Sequence, residues 1–203
     1  MGDVYSHGHH DSVLRSHRWR TVENSAAYLL AELRSADRVL DVGCGPGTIT
    51  LDLARRVADG FVVGIDASAD VVTQAEQLRL DQRVENAAFF VGDAYHLEVD
   101  AGSFDVVHAH QVLQHLTDPV EALVEWRRAL RSRGLLAVRD SDYGAFTWWP
   151  AEPLLTRWLE LYHQLTRRNR ATADAGRELL SWVRKAGYVD LVASSSNWTF
   201  ADG

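Results

Sequence analysis

Short apolar runs alternate with amphipathic stretches through most of this chain. Arg38 to Val42, Phe61 to Ile65, Ala87 to Val91, Ser103 to Val107 and Leu135 to Val138 read as strands, most of them near-continuously apolar as strands buried on both faces are. Between them, apolar residues recur at helical spacing: Ile49, Leu53, Ala54 and Val57, then Val71, Val72, Ala75 and Leu78, then Leu123, Val124 and Leu130. This alternation predicts an α/β fold, a doubly wound, mostly parallel open sheet with helices on both faces.

Boundary residues sharpen the outline. Thr48 and Ser68 are expected N-caps, and Asp59-Gly60 ends the first crossover helix. Asp118-Pro119-Val120-Glu121 combines an acid N-cap, proline at the first helical position and glutamate at the third. That helix is expected to run to Gly134, with Arg127, Arg128, Arg131 and Arg133 near its C-terminus, where the macrodipole favours cations. Upstream, Val22, Ala26, Leu29, Leu30 and Leu33 predict a helix from about Thr21 to Arg34. Residues 1–35 then form an N-terminal arm and lid helix, and 36–203 the domain proper. Past the fifth strand, Leu154, Leu155, Trp158, Leu161, Tyr162 and Leu165 share one face of an extra helix at about 151–168. A helix at about 174–186 ends at Gly187, and Tyr188 to Phe200 is expected to hold a sixth strand.

The chemistry concentrates where the first strand meets its helix. Gly43, Gly45 and Gly47 follow Asp41 and Val42, so the backbone can turn sharply and approach a ligand closely. The arrangement is G-x-G-x-G, and Thr48 stands where the dinucleotide fingerprint needs its last glycine. Asp41 would repel a pyrophosphate but suits an ammonium group. The plainer reading is a turn that only closes a βα unit. Asp66 ends the second strand 25 residues after Asp41, near the offset at which a carboxylate meets ribose hydroxyls. The alternative for Asp66 is an ordinary surface turn.

D-x-G-x-G-x-G after a strand resembles motif I of the class I S-adenosylmethionine-dependent methyltransferases. F-D-x-V followed by L-x-H-L, at Phe104 to Val107 and Leu113 to Leu116, is similar to that family's fourth strand and the loop beyond it. The pattern is most like the ubiquinone/menaquinone-biosynthesis type. The resemblance implies a Rossmann-like methyltransferase fold, S-adenosylmethionine as cofactor, and roles for individual residues. Asp41, Gly43, Cys44 and Gly45 would hold the methionyl part. Asp66, with Ala67 after it, would take the ribose. Asp93 would accept from the adenine amino group and the Ala94 N–H would bond the ring. Tyr95 and His96 flank the adenine or are exposed loop residues. His110 and Gln111 would face the methyl group.

The methyl on a sulfonium is already activated, so no catalytic residue is obligatory. If the acceptor loses a proton, His110 is the first candidate base, with His115, Tyr143 and Asp140 after it. His115 also reads as a buttress of the loop, and His108 as a core histidine. The family's sheet has seven strands, and the material after Ala186 suffices for one. The seventh is expected to be absent, unless the natural protein extends further. Tyr143, Phe146, Trp148 and Trp149 are dense enough to be buried, either lining an apolar pocket for an aromatic or prenylated acceptor or packing the extra helix. Arg139, Asp140 and Asp142 are potential polar anchors there. The N-terminal segment, through Tyr5, Arg20 and Asn24, would close from the other side.

Composition narrows the partners. A net charge of −7 argues against general nucleic-acid binding, and Arg167, Arg168 and Arg170 read as a solvated helix end. The single cysteine, Cys44, excludes an internal disulfide and fits a cytoplasmic setting. His7, His9, His10 and His17 match no zinc spacing. No apolar run approaches a membrane span. The expected partner is a small-molecule acceptor, with a homodimer as one option. A cofactor-binding regulator without transferase activity is the alternative function, and a nicotinamide oxidoreductase a more distant one.

Overall fold

Arg38–Val42 (β1) begins the sheet at its centre. In the computed structural model, which describes residues 19–201, it is followed by Phe61–Asp66 (β2), Ala87–Val91 (β3), Phe104–His110 (β4) and Leu130–Arg139 (β5). The order is β3-β2-β1-β4-β5 and every pairing is parallel. The chain steps outward from β1 to β3, then crosses back to β4. The strand order therefore reverses between β1 and β4, and ligands of such sheets bind outside the carboxyl ends there.

Period-two alternation explains the layers. Val39, Val62, Ala87, Val106 and Ala137 face a core shared with Val22–Ser25 (α1), Thr48–Arg56 (α2) and Ala69–Asp81 (α3). Leu40, Val42, Val107 and Ala109 face the other way, onto Pro119–Ala129 (α4) and Ala175–Lys185 (α6), where Trp126 is fully buried. Pro153–Arg168 (α5) is the extra helix, and it buries only Tyr162 and Thr166. Among the described residues, no helix is long and apolar enough to cross a membrane.

Four boundaries differ from the sequence reading. Gly47, not Thr48, is the N-cap of α2, because the cap adopts a left-handed φ of 83° and Thr48 is already helical. The helix expected over 21–34 shrinks to α1 and a 3-10 turn at Ala27–Leu29. Asn24 and Thr21 form a capping box that starts α1, and the helix ends where the Ala26 backbone leaves the helical region at φ −133°. The helix α4 stops at Ala129 and β5 starts at once, so Arg131 and Arg133 lie on a strand, the latter with φ 62°. Finally, residues 188–200 form no strand. The run Ser194-Ser195-Ser196-Asn197 has no apolar alternation to seat on a sheet, and Trp198 instead turns inward to donate to the Asn24 carbonyl at 2.8 Å. The described sheet accordingly stops at five strands.

At the start of α4 the Asp118 carboxylate accepts from the Glu121 N–H at 3.0 Å. Asp118→Ala is expected to cost about 1 kcal/mol. In urea unfolding this appears as a lower midpoint with an unchanged slope; an unchanged midpoint would show that the cap contributes nothing.

Candidate functional site

Each strand end on the carboxyl edge delivers a polar group. At the end of β1, Gly43, Gly45 and Gly47 all have positive φ (67°, 56° and 83°), and the turn wraps back so that the Cys44 N–H donates to the Ile65 carbonyl at 2.9 Å. Cys44 is buried, and burial pushes its thiol well above the usual range, so it is a space-filling residue at neutral pH. A side chain at Gly43 would overlap Val112 Cγ2, which packs the glycine turn against the loop after β4.

Asp41 points into the sheet. Its Oδ1 is 2.7 Å from His108 Nδ1 and its Oδ2 accepts from Thr50 Oγ1 at 2.6 Å, with both Asp41 and His108 buried. Asp41 and His108 are register partners across β1 and β4. Both oxygens of the acid expected to meet a methionyl amine thus have protein donors, and the carboxylate ties β1, β4 and α2 together beneath the turn.

Asp66 ends β2. Its Oδ2 accepts from the Gly45 N–H and its Oδ1 from the Ser68 N–H, both at 3.0 Å. A carboxylate has about four acceptor sites, so capacity for two more donors remains. Ala67 lies between it and the α3 cap at Ser68. Past β3, Asp93 is well exposed, with its Oδ1 accepting from the Tyr95 N–H at 2.9 Å and its Oδ2 3.4 Å from His96 Nδ1. The Ala94 carbonyl accepts from Trp126 Nε1 at 2.8 Å, and the Tyr95 hydroxyl accepts from the Asp118 N–H at 3.0 Å. These bonds fix the loop to α4.

His110 closes β4 and is buried. Gln111 has φ 58°, donates its N–H to the Arg139 carbonyl at 2.7 Å, accepts from the Arg20 guanidinium, and donates from Nε2 to Ser141 Oγ at 2.6 Å. A left-handed glutamine wedged between β5 and the N-terminal segment is strained backbone, held by three partners. His115 lies in a 3-10 turn, with Nε2 3.2 Å from Gln114 Nε2. That turn hangs on Asp140, whose carboxylate accepts from the Leu113 and Gln114 N–H groups at 3.2 and 3.3 Å.

Tyr143 lies in a separate small core with Tyr162 and Ala173, stacked on Phe146 at 4.6 Å, and burial raises its phenol pKa. The expectation that the whole aromatic run is buried is not met. Phe146, with one face on Tyr143, and Trp149 are exposed, because α5 turns most of its apolar face outward and does not cover them. Arg20 and Asn24 do reach the site, while Tyr5 and the four N-terminal histidines lie outside the described residues. Sequence reading missed His108 as the partner of Asp41, and it missed Trp198. The only available signal for Trp198 was a large aromatic following a run of serines.

Desolvation raises the Asp140 carboxyl from 3.8 to about 7, partly offset by the backbone N–H groups of Gln114, Leu113 and Val112 and by the Arg20 charge. The folded chain therefore favours the protonated acid. Its stabilising contribution is complete below pH 3.8 and is lost as the pH rises through about 7. The stability of the wild type relative to Asp140→Asn is expected to fall between pH 4 and 7.5 in chemical denaturation. A difference that stays flat over that range would rule the linkage out.

The carboxylates and turn fit an extended nucleoside carrying an amino-acid tail. A methyltransferase-domain family model matches residues 33–187. An uncharacterized methyltransferase of Schizosaccharomyces pombe is 35% identical over 98% of this chain and 74% of its own length. A demethylmenaquinone methyltransferase of Roseiflexus castenholzii is 34% identical over 85% of this chain and 75% of its own. The crystal structure of the YcgJ protein of Bacillus subtilis, 25% identical, superposes with a TM-score of 0.64 over 81% of this chain and 68% of its own. Among the curated relatives, the share of the relative's length that is spanned runs from 33% to 81%.

Proposed function

Because the chain belongs to the methyltransferase-domain family, as a class I S-adenosylmethionine-dependent methyltransferase, we propose that it methylates a small-molecule acceptor seated beyond the ends of β4 and β5. One observation carries the reading. Asp93, Asp66, the glycine turn and His110 with Gln111 lie at or just past the carboxyl ends of β3, β2, β1 and β4, which are consecutive neighbours in the sheet. At about 4.8 Å per strand they line a track of about 14 Å. Adenine would lie at Asp93 and the Ala94 N–H, ribose at Asp66, and the amino-acid tail over Gly43 to Gly45, with Gln111 beyond.

The cofactor supplies a methyl already activated on sulfur. The protein's task is to orient the acceptor and exclude water. His110 is the group at that end of the track, and an imidazole suits a proton transfer near neutral pH. His115 and Tyr143 are less suited: Gln114 engages the His115 ring, and the Tyr143 phenol titrates above its ordinary range. Asp41 contributes indirectly, by holding the turn. An aromatic or apolar acceptor is the proposed class, since such pockets are mostly apolar with a few polar anchors.

Incubation with methyl-labelled S-adenosylmethionine and a metabolite extract tests this. The expected result is label in a small molecule one methyl heavier than its precursor, together with S-adenosylhomocysteine. Label confined to macromolecules would overturn the small-molecule reading. His110→Gln is expected to lower the maximal rate and flatten its pH profile; an unchanged rate from pH 6 to 9 would remove His110 from proton transfer.

A further inference from the structure

Between Val192 and Phe200 every residue is exposed except Trp198. Its indole N–H donates to the Asn24 carbonyl, and its ring meets Trp19 edge-on with centroids 5.3 Å apart. The His110 ring stands 5.9 Å from it, tilted by 45°. Two guanidinium carbons lie over the same indole, Arg139 at 5.2 Å and Arg20 at 5.9 Å. Two cations, an imidazole and a flat aromatic face therefore converge at the ends of β4 and β5, in a chain whose net charge is −7.

Arg139 is the telling member. It is the register partner of His110, one strand over. Its Nη1 donates to the Asn24 and Ser25 carbonyls at 3.1 Å, and its Nη2 reaches the Ser196 carbonyl at 3.4 Å. No carboxylate among the described residues forms an ion pair with it. Burial works against its charge and lowers its pKa. The nearby acids are committed elsewhere: Asp142 to Arg177 through bonds of 2.6 to 3.0 Å, and Asp140 to the turn after β4, with its remaining charge felt by Arg20 rather than by Arg139. A half-buried guanidinium held by carbonyl dipoles and an indole face has lost solvation without gaining a carboxylate counter-charge, and a ligand anion supplies one.

We infer that the acceptor is a flat, conjugated carboxylic acid, its carboxylate read by Arg139 with Arg20 alongside and its ring laid against Trp198. This rests on the methyltransferase reading and narrows its substrate class. The carboxylate anchors; the methylated atom is presented toward His110.

Calorimetric titration tests it, using 2-naphthoate and its neutral isostere 2-naphthamide on protein saturated with S-adenosylhomocysteine. In the wild type the carboxylate is expected to bind about tenfold more tightly or better, as charge-assisted hydrogen bonds imply. Arg139→Gln should abolish that preference and Arg139→Lys should keep part of it. Trp198→Leu should weaken both probes alike and leave their ratio. Unaltered S-adenosylhomocysteine binding by each variant shows that it is folded. Equal affinities in the wild type, a preference that survives Arg139→Gln, or no binding of either probe to the cofactor complex would overturn the inference and leave the methyltransferase reading standing. Failure of S-adenosylhomocysteine itself to bind would remove that reading, and this inference with it.

Discussion

Gly43→Ala is expected to lower stability by about 2–5 kcal/mol and to abolish saturable cofactor binding. Two effects add. The backbone at this position has φ 67°, a conformation that costs an L-residue about 1–2 kcal/mol. The new methyl would also run into Val112, and overpacking of this kind costs about 1–3 kcal/mol. A second substitution separates them. Val112→Ala in the Gly43→Ala background removes the overlap and should recover only the packing share. Full recovery would mean the backbone strain is absent, and a single variant within 0.5 kcal/mol of the wild type in chemical denaturation would mean the turn is not held as described.

Asp66→Ala is expected to weaken S-adenosylhomocysteine binding by about 2–3 kcal/mol, roughly 30- to 150-fold. The same carboxylate also orders Gly45 and the α3 cap, so part of the loss comes from a loosened turn. Asp66→Asn keeps an acceptor oxygen for one backbone donor and loses the charge, and is expected to fall between the two. Calorimetry on all three proteins reads the order. Unchanged affinity in Asp66→Ala would place the ribose elsewhere.

The sheet was largely legible in the residues. The strands are apolar runs with little ambiguity, and β2 and β3 come from such runs almost residue for residue, although β3 is an edge strand that leaves Phe90 and Val91 exposed. The extent of the N-terminal helix was not legible, because its apolar spacing runs on past the break at Ala26, where the backbone has φ −133°. Nor was the missing sixth strand, since strand formation depends on a partner edge as well as on pattern. In the site, residues at strand ends were found because chemistry and topology agree there. The inward turn of Asp41 was hidden, because its partner His108 is set by the register of β1 against β4 across 67 residues. Trp198 was hidden for the same reason, while Arg139 was legible as a potential anchor but its place over the Trp198 ring was not, since that contact exists only once the two chain segments pack together.

The edge running from Asp93 to Gln111 is expected to hold S-adenosylmethionine and not a dinucleotide. Titrating the full chain with S-adenosylhomocysteine and, separately, with NAD tests it most directly. One molecule of S-adenosylhomocysteine bound per chain, with no saturable heat from NAD at the same concentrations, is the predicted result; equal binding of the two would contradict it.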